Sequence, residues 1–260
     1  MKILSLGWGV QSFTLAAMVA LGELEPVEAA IHADTLHESS LTYSFAERWT
    51  PWLVSHGVNV VTVTNPTGGV FELFKRIGQT HLPAYTLNVQ GDAGQLNRSC
   101  THRWKIVPMR RWIAAELAQR NLTKVPGMVE QWLGISLDEF QRMKDSDVKY
   151  IKHRWPLIDK RMTRRDCYTW LDKHGLEIPP KSSCTFCPYH DTAAWRRMKA
   201  GGSDWDEAVR VDNTLRHLRP PYEMFVHPAR KPLEEIDLST PEENGQLSLW
   251  DNECSGICGV

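Results

Sequence analysis

The stretch "KILSLGWGVQS" (2–12) decides the fold. Its first five residues form a short apolar run of the kind found in buried strands, and "GWGVQS" is a glycine-bearing turn that leads into a helical pattern. Gly7 and Gly9 would bring backbone N–H groups close to an anion, and Ser12 would add a hydroxyl. The spacing matches neither the dinucleotide fingerprint nor the lysine-bearing phosphate loop, so a plain strand–helix turn explains the stretch as well.

The same strand-then-helix pattern repeats along the first half of the chain. Strand patterns cover 26–35, 58–64 and 128–136, and helical patterns cover 40–57 and 105–121. This alternation predicts an α/β fold, a Rossmann-like, doubly wound parallel sheet. The β patterns stop near residue 150 and the chain becomes rich in Arg, Trp, Pro and Cys. We therefore predict a nucleotide-binding domain at 1–150 and a smaller, irregular, cysteine-bearing lobe and tail at 151–260.

Composition excludes some classes of function. A net charge of −1 over 260 residues gives no global attraction to nucleic acid or membranes. No apolar run reaches the length of a membrane span, and the N-terminus does not resemble a secretory signal. A cytoplasmic location follows as an expectation, and there the six cysteines favour metal binding or catalysis over structural disulfides.

Two further segments carry candidate chemistry. "HADTLHE" (32–38) ends the second strand pattern, so Asp34 and Thr35 would face the crevice where such sheets bind ligands. The Asp34 carboxylate would bind ribose hydroxyls or Mg²⁺, or would only cap a helix. "CTFCPYH" (184–190) places two residues between Cys184 and Cys187, and zinc, a redox disulfide and an iron–sulfur cluster all use this spacing.

Five segments in order resemble the adenine nucleotide α-hydrolase (PP-loop) superfamily, in particular its phosphoadenosine phosphosulfate (PAPS) reductase-like branch. The loop 7–12 is similar to Ser-Gly-Gly-x-Asp-Ser, with Trp8 in place of a Gly and Gln11 in place of the Asp. The other similar segments are "DTLHESSLTY" (34–43), "RSCTHRWKIVPM" (98–109), "GISLDEFQR" (134–142) and "MTRRDCYTWLDKHGLEIPPKSSCTFCP" (162–188).

The resemblance implies a nucleotide site and a metal centre. ATP, with Mg²⁺, would lie with its phosphates over the loop and its adenosine near Asp34. The implied nucleotide-binding residues are Ser5, Gly7, Gly9, Gln11, Ser12, Asp34, Thr35, Arg98, Gly134 and Arg142. A [4Fe–4S] cluster would be held by Cys100, Cys184 and Cys187, with Cys167 in place of the missing partner of Cys100. Cys167 would sit near the start of a helix that Thr163 caps, with Asp166 at the third helical position.

The resemblance also implies enzymatic function. The main prediction is an iron–sulfur-dependent sulfurtransferase that adenylates an acceptor, forming AMP and pyrophosphate, and then replaces oxygen by sulfur. Lys105, Cys254 and Cys258 would be its catalytic residues. The alternatives are a PAPS or adenosine phosphosulfate reductase with Cys254 as nucleophile, and a non-catalytic nucleotide- and cluster-binding partner protein.

The predicted partners follow from these functions. They are an adenine nucleotide, a sulfur donor such as sulfide or a cysteine desulfurase, and a second copy of the chain in a homodimer. Arginine and aromatic residues cluster at 160–165, 195–199 and 215–221, which suits tRNA or DNA as the acceptor. A solvated protein surface explains these clusters almost as well.

Overall fold

The computed structural model of the chain describes residues 1–69 and 82–239. The chain divides into two compact units. Unit 1 comprises Met1–Gly69 and Thr101–Ser183, and unit 2 comprises Val70–Cys100 and Cys184–Val260. This division does not coincide with the predicted boundary at residue 150, because the chain leaves unit 1 after residue 69 and returns to it at residue 101.

Strands and helices alternate through the described residues. The strands are β1 (Lys2–Ser5), β2 (Ala29–Asp34), β3 (Val60–Thr64), β4 (Tyr85–Leu87), β5 (Ala93–Gln95), β6 (Val129–Trp132), β7 (Ile151–Arg154) and β8 (Glu223–Phe225). The α-helices are α1 (Val10–Ala20), α2 (Ser40–Ser55), α3 (Val107–Gln119), α4 (Pro156–Asp159), α5 (Arg164–Lys173), α6 (Thr192–Gly201) and α7 (Ser203–Leu215). A π-helix (Thr101–Ile106) precedes α3, and 3₁₀ helices cover Leu137–Arg142 and Leu233–Glu235.

Unit 1 is built on a five-stranded sheet in the order β3-β2-β1-β6-β7, and every neighbouring pair is parallel. The predicted Rossmann-like parallel sheet is therefore confirmed. The strand order reverses at β1, which has β2 on one side and β6 on the other. In open parallel sheets, ligands bind beyond the carboxyl ends of the strands at such a reversal.

Strand β7 corrects the expectation that strands end near residue 150. It is an edge strand that pairs only with β6 among the described residues, and only Ile151 of its four residues is buried. An edge strand needs little apolar surface, so "IKHR" carries a weak strand signal in the sequence.

Helices cover both faces of this sheet. One core joins β1, β6, α1, α2 and α5, and it buries Leu4, Phe13, Phe45 and Trp132. The other core packs α3 against the opposite face through Met109, Ile113 and Leu117. Helix α2 ends as its sequence predicts, since Gly57 adopts the left-handed conformation (φ 81°) just beyond the helix.

Unit 2 contains a three-stranded antiparallel sheet in the order β5-β4-β8, together with helices α6 and α7. The fully buried Asp212 of α7 organises its core. Its carboxylate accepts hydrogen bonds from the N–H groups of Val226 (2.9 Å) and Leu233 (3.0 Å) and pairs with Arg216. Within the described part of the chain, no helix is long and apolar enough to span a membrane.

Candidate functional site

The loop after β1 lies at the reversal of strand order. The Ser12 hydroxyl closes it by accepting a hydrogen bond from the Gly7 N–H (3.1 Å) and donating one to the Gly9 carbonyl (3.1 Å). Gly9 is the N-cap of α1, and no side chain caps this helix. The first N–H groups of an α-helix have no acceptor within the helix, so the loop offers donors to an anion.

Trp8 stands where the pattern that the loop resembles has a glycine. It adopts a left-handed backbone conformation (φ 55°), which is the conformation that favours the glycine of the pattern. Its side chain is buried and packs near the rings of Phe13, His32 and Phe45, with ring centroids 6.2–6.4 Å apart. Burial of a large aromatic side chain offsets the backbone strain, which is of order 1–3 kcal/mol.

The loop after β6 packs directly on the start of α1. A Cβ atom at Gly134 would lie 2.8 Å from the backbone nitrogen of Ser12 and 3.0 Å from its Cα. Only glycine permits this approach, so the carboxyl ends of β1 and β6 meet at one place. Gly134, which the sequence resemblance implied for the nucleotide site, has this physical reason to be a glycine.

Gln11 connects the two loops through its side chain. Its Nε2 donates to Ser136 Oγ (2.9 Å) and to Glu139 Oε2 (2.6 Å), and its Oε1 accepts from Arg164 Nη2 (3.2 Å). Glu139 also accepts from Arg142 Nη1 (2.9 Å) and Arg164 Nη2 (3.0 Å). We call Gln11, Ser136, Glu139, Arg142 and Arg164 the Gln11 cluster.

Magnesium does not fit the Gln11 cluster. A Mg²⁺ site needs oxygen ligands that are free to coordinate the metal, usually carboxylates. The only acceptor of the Gln11 side chain already receives a hydrogen bond from Arg164, and the carboxylate of Glu139 is bound by two guanidinium groups. The residues present therefore give no support to Mg²⁺ binding at this position.

The end of β2 provides two carboxylates. Asp34 Oδ1 accepts hydrogen bonds from the Leu36 N–H (2.7 Å) and from the Tyr43 hydroxyl (2.7 Å). Burial, together with this contact to Asp34, raises the pKa of Tyr43, which therefore stays protonated and acts as a donor. Asp34 is thus held at the carboxyl end of β2, as the sequence predicts.

Glu38 is the second carboxylate, and the sequence analysis did not identify it. It is 2% exposed, and its Oε1 lies 3.2 Å from Lys105 Nζ and 3.3 Å from the Thr35 hydroxyl. Its Oε2 is buried and has no hydrogen-bond partner among residues 1–69 and 82–239. Burial lowers the pKa of nearby His32, although Glu38 and Asp34 act in the opposite direction. Lys105, predicted as catalytic, is therefore paired with a buried carboxylate.

Ser5, also predicted for the nucleotide site, is engaged with neighbouring side chains. It lies at the end of β1, where its hydroxyl accepts from Gln131 Nε2 (2.8 Å) and contacts Met109 Sδ (3.6 Å). Arg98 belongs to unit 2, where its guanidinium carbon lies 5.4 Å from the ring centroid of Tyr189.

Cys167, the predicted fourth cluster ligand, lies in the core of unit 1. It is fully buried, and a hydrogen bond joins it to the Thr14 side chain. Burial raises the pKa of its thiol to about 12. Thr163 and Asp166 do form the predicted capping box at the start of α5. The helix start was predicted correctly, but its cysteine faces the core.

Cys100, Cys184 and Cys187 belong to unit 2 and are partly exposed. The Cys184 carbonyl accepts from the Cys187 N–H (3.1 Å) and from His190 Nε2 (2.8 Å), so the two cysteines flank a tight turn. Within the described ranges, no group of three or more His, Cys, Asp or Glu residues could hold a metal ion. The predicted [4Fe–4S] cluster therefore has no support, and Cys254 and Cys258 lie outside the described residues.

Some residues of the Arg and aromatic clusters that were predicted to bind nucleic acid are instead buried or make contacts within the protein. Trp195 is fully buried in unit 2, and Arg216 forms the buried pair with Asp212. Arg164 belongs to the Gln11 cluster. Arg164 lies in the basic segment 160–165 of the sequence, and the capping box at Thr163 makes it the first residue of α5.

Comparison with known proteins finds similar solved structures. No family model matches the chain, and no curated protein matches it. The chain is similar to the phosphoadenylyl-sulfate (PAPS) reductase from Candida auris, solved as a phosphate complex. The two share 12% identity at a TM-score of 0.44, over 68% of this chain and 74% of that one.

Proposed function

We propose that the protein is an enzyme that binds an adenine nucleotide at the carboxyl ends of β1, β2 and β6. The proposed substrate is a sulfonucleotide, either PAPS or adenosine phosphosulfate, and the proposed reaction is its reduction. The observation that carries this proposal is the close approach of Gly134 to Ser12, which joins the two loops at the reversal of strand order. The sequence resemblance supplies the nucleotide class.

The Gln11 cluster favours the reductase over ATP-dependent sulfur transfer. Cleavage of ATP to AMP and pyrophosphate develops charge on phosphate oxygens, and Mg²⁺ ordinarily neutralises it. The cluster offers no free carboxylate for that ion. A reductase requires no such cleavage, because a cysteine thiolate attacks the sulfonate sulfur and the nucleotide leaves with the electrons of the broken sulfur–oxygen bond.

Cys254 is the proposed nucleophile. Its attack forms a cysteine thiosulfonate, and a dithiol reductant then releases sulfite and regenerates the thiol. In the site itself, the loop amides and the Gln11 cluster would hold the phosphate, and Asp34 would accept a hydrogen bond from a ribose hydroxyl. No step is assigned to a metal cluster.

The test combines binding with mass spectrometry on the full chain. Adenosine phosphosulfate and PAPS should bind, and incubation should leave a sulfonate adduct on Cys254 that the Cys254→Ser variant lacks. Gly9→Val should abolish binding, because its side chain would occupy the approach path of the phosphate. Asp34→Ala should weaken binding by about 1–3 kcal/mol through loss of a charged hydrogen bond.

Two results would overturn the proposal. Formation of AMP and pyrophosphate from ATP, without any adduct from a sulfonucleotide, would restore the sulfurtransferase. Unchanged nucleotide affinity in both Gly9→Val and Asp34→Ala would mean that the site lies elsewhere. Cys258→Ser is the matched control, because it should leave adduct formation on Cys254 intact.

A further inference from the structure

We infer that Arg142 and Arg164 meet the negative charge of the ligand at the first loop, and that no divalent cation takes part there. This inference rests on the proposed function in so far as it places an anionic ligand at that loop. It states which groups neutralise the negative charge of the ligand, and it adds Arg164 to the binding residues.

Each polar atom of the Gln11 side chain has a protein partner. A carboxamide has two N–H donors and one oxygen with two lone pairs. The donors are used by Ser136 and Glu139, and the oxygen accepts from Arg164. Gln11 is 8% exposed, so little of it is open to a hydrated ion. The position where the superfamily pattern has a carboxylate is therefore uncharged and mostly enclosed by protein.

The carboxylates beside the loop are both engaged by protein groups. Two guanidinium groups contribute +2, and Glu139 and Asp138 together contribute −2, so the local charges balance. Glu139 is bound by both arginines, and Asp138 Oδ1 accepts from the backbone N–H of Arg164 (2.9 Å) at the positive end of α5. A divalent cation would have to displace these contacts, whereas a phosphate or sulfonate can bind the remaining guanidinium donors without doing so.

Both arginines keep donors for a ligand. The side chains of Arg142 and Arg164 are 31% and 39% exposed. Within the described part of the chain, Arg164 bonds through the side-chain atom Nη2 alone, and Arg142 through Nη1 alone. A guanidinium carries five N–H donors, so each arginine retains several that can bind anionic oxygens.

The backbone fixes Arg164 in place. It is the first residue of α5, which starts with the capping box of Thr163 and Asp166. The Leu137 N–H donates to the Met162 carbonyl (2.8 Å), which ties the loop after β6 to the start of α5. Arg164 is therefore held before any ligand binds, and pre-organisation of this kind increases affinity.

Isothermal titration of the full chain with AMP and with inorganic phosphate, two anions that bind Mg²⁺ only weakly in solution, tests the inference. Each titration is run once with a chelator and once with millimolar Mg²⁺. The wild type should bind each anion equally well, within about twofold, in both buffers. Arg164→Gln should bind each anion about tenfold more weakly or worse, as expected when a charged hydrogen bond is lost. Arg165→Gln, a change at the exposed next residue of α5, is the control and should match the wild type.

A second variant adds a negative charge to the Gln11 cluster, so that a metal ion should become necessary for anion binding. Gln11→Glu keeps the shape of the side chain but places a carboxylate against Glu139. In the wild type, Gln11 Nε2 donates a hydrogen bond to Glu139 at this place (2.6 Å). This variant should lose anion binding in chelator and regain part of it in Mg²⁺, because the paired carboxylates can then bind the metal. If Gln11→Glu does not fold, Arg142→Gln replaces it and should again weaken binding in both buffers.

The outcomes separate this inference from the proposed function. Wild-type binding that requires Mg²⁺, or binding unaffected by Arg164→Gln, overturns the inference alone. Arginine-dependent binding of inorganic phosphate without any binding of AMP supports the inference and counts against the proposed nucleotide substrate. If neither anion binds in either buffer, both fail.

Discussion

The contact between Gly134 and the start of α1 can be tested by adding a single methyl group. In Gly134→Ala, the new Cβ would lie 2.8 Å from Ser12 N, 3.0 Å from Ser12 Cα and 3.1 Å from the carbonyl carbon of Gln11. These are backbone atoms, so the loop after β6 or the first turn of α1 has to move. Overpacking of this kind costs typically 1–3 kcal/mol.

The expected loss can be measured as a shift of the unfolding midpoint. For a chain of this size, 1 kcal/mol corresponds to about 2–4 °C, so Gly134→Ala should lower the midpoint by roughly 2–12 °C. It should also weaken AMP binding, because the displaced atoms belong to the loop that would hold the phosphate. Gly7→Ala is the matched control for stability, since its Cβ would lie 3.8 Å from Ser12 Oγ in ordinary contact. A Gly134→Ala protein with wild-type midpoint and affinity would refute the proposed packing of these loops.

Three further predictions concern individual side chains. In the native protein at pH 8, a thiol reagent should label Cys184 and Cys187 but should reach Cys167 only after denaturation. Cys167 is fully buried, and burial raises the pKa of its thiol to about 12. Peptide mapping measures the labelling, and modification of Cys167 in the native protein would contradict the prediction. Burial lowers the pKa of His32, so the unfolded chain binds its proton at higher pH than the folded chain does. The free energy of unfolding should therefore fall as the pH drops below about 6.5, and His32→Gln should show a shallower fall in urea titrations. Tyr43→Phe removes the 2.7 Å hydrogen bond to Asp34 and should cost about 1 kcal/mol in the same assay, and an unchanged value would count against that contact.

The parallel sheet could be predicted from the sequence because its central strands are buried on both faces. The run "KILSL" has three buried apolar residues, Ile3, Leu4 and Leu6, and the helices between the strands have clear ends, as at Gly57. The edge strand β7 could not be predicted, because its polar residues carry no such signal. The division into units could not be predicted either, since it depends on contacts between segments far apart in the sequence.

The sequence allowed the positions of the candidate site residues along the chain to be predicted, but not the hydrogen bonds between their side chains. The positions of Gly9, Ser12 and Asp34 follow from the ends of the predicted strands, and the structure places them there. Arg164 follows α4, and no local pattern relates it to the first loop. For Cys167, the position near a capped helix start was predicted correctly, but the burial of its side chain was not. Which residues of α5 are buried depends on the face that packs against α1, and the local sequence does not specify that face.

The two residues at which the first loop differs from the pattern it resembles each lie in a specific environment. Trp8 takes a strained backbone conformation and is stabilised by a buried aromatic cluster. Every hydrogen-bonding group of the Gln11 side chain has a partner. An aspartate at this position would place a second negative charge near Glu139, so the neutral glutamine and the glutamate fit together as a pair. Arg164, 153 residues further along the chain, binds both of them and so links the first loop to the start of α5.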